Sequence, residues 1–248
     1  MPAMTTWDEG FAERYDEWSA HMTADIPFYV DLAREAPGPL VELAVGNGRV
    51  AIPVAQATGK TVIGIDLSHS MLEQARVNAA AAGVQLDLRY GDMRDLTLEE
   101  AAGLIYCPFR SLMHLSTWTD RRRTFERIAA SLRSDGRFAW NVFVFDHQIA
   151  VRNDGTHQDR PVPHTLRYSV PENRIDIVRD DGAQSSLWWG TKNEWLGLLN
   201  VAGLDVEALY GGFAREPFTE ESREYVFVSR PRGWARSEFR AGASPQST

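Results

Sequence analysis

Residues 40–51 read Leu40-Val41-Glu42-Leu43-Ala44-Val45-Gly46-Asn47-Gly48-Arg49-Val50-Ala51. An apolar strand, Leu40–Val45, runs into Gly46-Asn47-Gly48, and the chain continues as a helix from Arg49 to Thr58. Glycines at such a junction let the backbone pass close under a ligand, where the amides of the helix N-terminus are exposed. A second buried strand, Val62–Leu67, follows, and Asp66 stands near its end, 20 residues after Gly46. A carboxylate there accepts hydrogen bonds from both hydroxyls of an adenosine ribose. Gly46-x-Gly48-x-x-Ala51 alone would fit a turn that merely packs strand on helix. With Asp66 and this strand–helix context it predicts an adenosine-type ligand.

Outward from this segment the pattern is one of alternation. Upstream, residues 7–36 predict two helices, with Phe11, Tyr15 and Trp18 at helical spacing and Pro27 opening the second. Pro37-Gly38-Pro39 ends it. Downstream, Ser68 or Ser70 can cap a helix that Gly83 ends, and Ser70 with Glu73 forms a capping-box pattern. Val84–Tyr90, Leu104–Cys107 and Gly136–Phe145 read as the third, fourth and fifth strands, with a helix over Trp118–Leu132. Alternation of this kind predicts a mostly parallel sheet covered on both faces. Residues 146–163 are polar and read as a loop. His164–Ser169, Arg174–Arg179 and Gln184–Trp189 read as three short strands joined by Pro171-Glu172-Asn173 and Asp180-Asp181-Gly182. They form an inserted antiparallel sheet. A helix at Asn193–Ala202 and strands at Leu204–Tyr210 and Glu224–Ser229 complete the chain, and a Gly-, Ser- and Arg-rich tail after Pro231 is expected to be mobile. The expected divisions are 1–36, capping helices; 37–145 and 191–230, the core; 146–190, the inserted sheet; and 231–248, the tail.

Composition narrows the function classes. The 248 residues are 44% hydrophobic and 24% charged, an ordinary globular balance. Lys and Arg total 26 against 34 Asp and Glu, a net charge of −8, which disfavours general nucleic-acid binding. Cys107 is the only cysteine, so no intrachain disulfide forms. No signal peptide and no apolar run near the roughly 18 residues of a membrane span is found, so a cytoplasmic location is expected.

A nicotinamide dinucleotide would satisfy Gly46, Gly48 and Asp66 equally well. Three features point away from it: Glu42 inside the first strand, Gly91-Asp92-Met93 after the third, and about forty residues of helix before the first. In these features the chain resembles the class I S-adenosylmethionine-dependent methyltransferases over roughly residues 10–230. The family's opening motif is an acid followed by three alternating glycines, which here reads Glu42-x-Ala44-x-Gly46-x-Gly48 with Ala44 in place of the first glycine. Asp66 matches the ribose-binding acid, Leu67-Ser68-x-Ser70-Met71-Leu72 the run into the next helix, and Asp92-Met93 the adenine-contacting pair. The resemblance implies a Rossmann-like, doubly wound α/β fold, with a mostly parallel seven-stranded sheet, a reversed last strand and the small antiparallel insertion. It implies S-adenosyl-L-methionine as cofactor, with contacts from Tyr15, Glu42, Ala44, Gly46, Asn47, Gly48, Asp66, Leu67, Met71, Asp92, Met93 and Cys107. Glu42 would orient the ammonium group. Tyr15 either covers the cofactor or packs its own amphipathic helix.

Methyl transfer is an in-line displacement, so the protein mainly supplies position, alignment and exclusion of water. The acceptor belongs beyond the carboxyl ends of the fourth and fifth strands. Phe109, Arg110, His114, Asn141 and Phe143 lie there. His114 could be a general base, an acceptor ligand or a structural histidine at a helix start. The inserted sheet resembles the lid of small-molecule methyltransferases. Its Tyr168 and Trp188 would wall the acceptor, and one of the neighbours Trp188 and Trp189 would face away. Cys107-Pro108-Phe109 lacks the Asn or Asp of the nucleobase amino-methyltransferase loop. His147, His157 and His164 with Asp146, Asp154 and Asp159 fit no helical ligand pair, so no metal is expected. Arg121-Arg122-Arg123 reads as a solvated helix face. The expected activity is methyl transfer to a nitrogen or oxygen of a small molecule by a monomer or homodimer. An NAD(P)-dependent oxidoreductase and a non-catalytic cofactor-binding protein are the alternatives.

Overall fold

In the computed structural model the described residues are 12–233. Phe11, and the part of the expected tail from residue 234 onward, lie outside them. Two helices, α1 (Tyr15–Ser19) and α2 (Ile26–Glu35), precede the sheet. Then come β1 (Leu40–Leu43), α3 (Ala51–Thr58), β2 (Val62–Asp66), α4 (His69–Ala81), β3 (Leu86–Tyr90) and β4 (Ala102–Cys107). A helix α5 (Trp118–Ser131) leads into β5 (Leu132–Phe143). The sheet ends with α7 (Lys192–Val201), β10 (Leu204–Tyr210) and β11 (Glu224–Pro231). Its strand order is β10-β11-β5-β4-β1-β2-β3. β11 runs antiparallel to both β5 and β10, so it alone is reversed.

Alternation along the strands builds two cores. Leu40, Val62, Leu104, Tyr106, Ala139 and Val226 face α2 and α3 and pack with Tyr29, Ala33 and Val54. Val41, Leu43, Ile105, Cys107, Phe138, Trp140 and Phe227 face the other way, onto Phe125, Ile128, Trp195 and Leu198 of α5 and α7. Successive strand residues point to opposite faces, so burial on both sides needs near-continuous apolar strands. β4 is buried at all six positions.

The insertion is richer than expected. Residues 146–163 are not a plain loop but hold a helix, α6 (His147–Asn153), and a strand, β6 (His157–Gln158). Asp146 caps α6 by accepting from the amides of Gln148 and Ile149 at 2.8 and 3.2 Å. The polar composition hid this cap, and two residues are too few to show a strand period. The inserted sheet therefore has four strands, β6-β7-β8-β9, with β7 (His164–Ser169), β8 (Arg174–Arg179) and β9 (Gln184–Trp188).

Of the two serines expected to cap α4, it is Ser68 that does so, accepting from the Met71 amide at 3.1 Å. Two smaller expectations change. β5 begins at Leu132, because Leu132 pairs with Ala102 ahead of an irregular register. Arg121 is not on a solvated face. It is 3% exposed, donates to the Leu115 carbonyl at 3.0 Å, pairs with Glu194 at 2.7 Å and stands over the Trp195 ring. A cation this buried survives only because its donors are matched.

Candidate active site

The floor of the site is the turn after β1. Ala44, Gly46 and Gly48 all take left-handed φ, at 53°, 55° and 85°. Glycine adopts this region without cost. A Cβ at Gly48 would also approach Ile52 to 3.0 Å. Ala44 holds the same conformation with a methyl group, which costs about 1–2 kcal/mol. The Gly46 amide donates to Asp66 Oδ2 at 2.8 Å and the Ser68 amide to Oδ1 at 2.9 Å. The acid is thus oriented by backbone on both oxygens, at the carboxyl ends of β1 and β2.

α1 closes over this floor. Tyr15 stands within 3.8 Å of where a Gly46 Cβ would be and meets Phe109 edge-on. The Asn47 side chain donates to Asp16. Arg49 pairs with both Asp25 oxygens at 2.7 and 2.6 Å and stacks over Phe109. Glu42 lies behind the turn, 2% exposed, with Oε2 buried and without a hydrogen-bond partner among the described residues. Burial pushes its carboxyl well above the ordinary range. Tyr106 and Arg49 oppose this, although the Tyr106 hydroxyl does not reach hydrogen-bonding geometry.

A cavity of about 750 Å³ extends from this floor to the inserted sheet. Tyr15, Ala44, Gly46, Asp66, Leu67, Met71 and Met93 line its near half. Asp92 does not. Its carboxylate is held by Arg94, through Nε at 2.9 and 3.0 Å and the backbone amide at 2.8 Å. Burial opposes its ionisation, but Arg94 outweighs burial and holds the carboxyl below its usual range. Cys107 faces the α5 core, fully buried, and burial pushes its thiol up. Asn47 and Gly48 border a separate hollow on the other side of the turn.

The far half begins at the loop after β4. Phe109 and Arg110 are consecutive non-glycine residues with left-handed φ, 59° and 64°. Such a pair persists only where surrounding contacts enforce it. Arg110 is bound by Glu224 through Nε at 2.8 Å and lies over the Phe143 ring. Glu224 also accepts from Asn141 Nδ2 at 3.2 Å, and Asn141 Oδ1 accepts from the Tyr29 hydroxyl at 3.2 Å. Asn141 therefore supports the wall without lining it. His114 lines the cavity, its Nδ1 3.1 Å from the Ser186 carbonyl. A carbonyl can only accept, so this nitrogen carries the proton and Nε2 has the lone pair in the neutral ring.

The inserted sheet roofs this half in rungs. Pairing sets Gln158 beside His164, Leu166 beside Ile177 and Ser185, and Tyr168 beside Ile175 and Leu187. All of these line the cavity. Trp188 falls on the opposite face, paired with Arg174, and does not line it. It is nonetheless buried, as is Trp189, which stacks on the cavity residue Phe145 with centroids 3.9 Å apart. Neither tryptophan wall is therefore direct. Trp18, His164, Phe145 and Glu224 were missed from the sequence. Trp18 lies three residues after Tyr15 and meets the His164 ring edge-on, a spacing that signals a shared helix face. His157 is turned to Asp180 and Asp159.

Residues 40–136 match the family model described as a methyltransferase domain. Over 247 residues the chain is 24% identical to the cypemycin N-terminal methyltransferase of Streptomyces sp, covering 92% of this chain and 98% of that protein. It is 33% identical over 113 residues to the dTDP-3-amino-3,6-dideoxy-alpha-D-glucopyranose N,N-dimethyltransferase of Streptomyces fradiae, but that match covers only 46% of this chain and 42% of that one. In fold it is similar to the CcbJ methyltransferase of Streptomyces caelestis, with a TM-score of 0.77, 24% identity, and 92% and 98% of the two chains covered.

Proposed function

We propose that the protein is a class I, S-adenosylmethionine-dependent methyltransferase that methylates a nitrogen or oxygen of a small molecule held under the inserted sheet, a reading supported by the match of residues 40–136 to a methyltransferase-domain model. The observation that carries this reading is the single cavity running from Gly46 and Asp66 to His114 and the inward rungs. S-adenosylmethionine is the methyl donor and supplies a methyl group already activated on a sulfonium. Relatives named as a cypemycin N-terminal methyltransferase and as an N,N-dimethyltransferase of a dTDP-linked amino sugar support acceptors of this kind. The reading includes action in the cytoplasm as a monomer or homodimer, without a nucleic-acid substrate. Among the described residues no helix is long and apolar enough to cross a membrane.

The residues present fit the donor. Asp66, held by two amides at the strand ends, suits the ribose hydroxyls. The unpartnered buried oxygen of Glu42, behind the turn, suits a nearby cation. Met71 and Met93 offer soft apolar walls for the adenine, while Asp92 would have to leave Arg94 to reach it. Tyr15 and Phe109 exclude water where the methyl group passes. His114 Nε2 would take the proton of an acceptor that must lose one.

The test has two stages. Calorimetry against S-adenosylmethionine, S-adenosylhomocysteine and NAD should show binding of the first two; tighter binding of NAD would overturn the reading. Labelled methyl transfer to a panel of small amines and phenols should then show turnover. In His114→Ala turnover should fall about 100-fold without a change in cofactor affinity. Unchanged turnover would remove His114 from proton transfer.

A further inference from the structure

The cavity carries a gradient of chemistry. Its mainly apolar rungs, Leu166–Ile177–Ser185 and Tyr168–Ile175–Leu187, are continued by Phe143 and Phe145 from the core. The opposite rung is polar, Gln158 beside His164, and the chain reaches Arg160 two residues after Gln158. Among the described residues three arginines line the cavity: Arg110, Arg160 and Arg223. Glu224 holds Arg110, and Asp146 stands 3.6 Å from Arg223. Arg160 has no ion-pair or hydrogen-bond partner among the described residues. The lining carboxylates do not compensate it. Asp66 is clamped by the Gly46 and Ser68 amides, and Asp146 spends one oxygen on the α6 cap. Among the described residues the far half therefore offers an apolar bed with one uncommitted cation at its polar end.

We propose that the acceptor is an amphiphile with an apolar body and an anionic group, a carboxylate or a phosphate, and that Arg160 selects it by binding that anion. This rests on the methyltransferase reading for its chemistry but not for its binding geometry. A guanidinium offers a planar pair of donors that matches either anion. The Gln158 amide, on the adjoining rung, can add a third donor. The body then lies along Leu166, Ile177 and Leu187, with its other end toward His114.

Binding can be read without knowing the true acceptor. Phenylbutyrate, phenylbutyl phosphate and phenylbutanamide share an apolar body and differ only at the end group. Their dissociation constants would be measured by calorimetry on the full chain saturated with S-adenosylhomocysteine. At least one anionic probe should bind about tenfold more tightly than the amide. Arg160→Gln should cut that gap to about twofold or less, with the amide and S-adenosylhomocysteine affinities unchanged. The preferred anion distinguishes carboxylate from phosphate. Equal binding of all three probes, binding of none, or a gap that survives in Arg160→Gln would overturn the proposal. Saturation with S-adenosylhomocysteine is verified first, so a failure of the methyltransferase reading would be seen separately.

Discussion

The two halves of the cavity are built by different means. Its floor is made of backbone and short side chains at the ends of β1 and β2, where left-handed turns and the Asp66 clamp leave little freedom. Its roof is a sheet whose inward side chains meet the ligand space, while the sheet's own hydrogen bonds are satisfied elsewhere. A floor of this kind constrains residue type at each position. A roof of this kind constrains only the alternation, so its inward residues can change without disturbing the strands.

The largest expected break of this contrast is at the floor. Asp66→Ala should weaken S-adenosylmethionine by at least about 100-fold, since two charge-assisted bonds of roughly 1.5–3 kcal/mol each are lost. Undiminished affinity in a folded variant would remove Asp66 from the cofactor site. At the roof, Leu166→Ala combined with Ile177→Ala should raise the acceptor KM about tenfold and leave cofactor affinity alone. A parallel loss of cofactor affinity would show that the two halves are one unit.

Glu42 sharpens the contrast through pH. Burial raises its carboxyl pKa in the fold, whereas the unfolded chain ionises it from about pH 4.5. The unfolded chain therefore binds fewer protons, and stability falls as pH rises from there toward the folded value. Glu42→Gln removes that penalty. Without cofactor, its Tm should exceed the wild type's by about 2–4 °C at pH 8 and match it at pH 4. Cofactor affinity should drop several-fold. A Tm difference independent of pH would show that the effect is not one of ionisation. The smallest effect belongs to Ala44→Gly. Relief of the left-handed methyl group is partly offset by a freer unfolded chain, so denaturant titration should show a gain within about 1 kcal/mol.

Legibility from sequence follows the same division. The floor could be read because a strand, a glycine turn and an acid at fixed spacing are local signals, and Gly46 and Asp66 do meet. The hold of Arg94 on Asp92 was not legible, since it depends on side-chain geometry that a two-residue spacing does not fix. The roof strands were visible from their period, but the facing of Trp188 depends on pairing with Arg174, which composition does not reveal. α6 was hidden because its sequence, His147–Asn153, carries little apolar periodicity. Glu224 depends on contacts 114 residues away in Arg110 and 83 away in Asn141, beyond any local window.

The reversal of β11 has a practical consequence. Parallel strands deliver their last residues to the ligand edge, whereas β11 delivers its first, Glu224, opposite Phe143 at the end of β5. It then runs down the sheet, pairing Ser229 with Phe138 and Pro231 with Leu204. The described chain thus departs at Arg232, whose amide bonds to the Gly203 carbonyl, at the sheet edge remote from the cavity. A fluorescent label or surface tether on a cysteine placed at Arg232 would be anchored about a full strand length away from the reaction. Immobilising the protein through that position should leave the cavity open to solution.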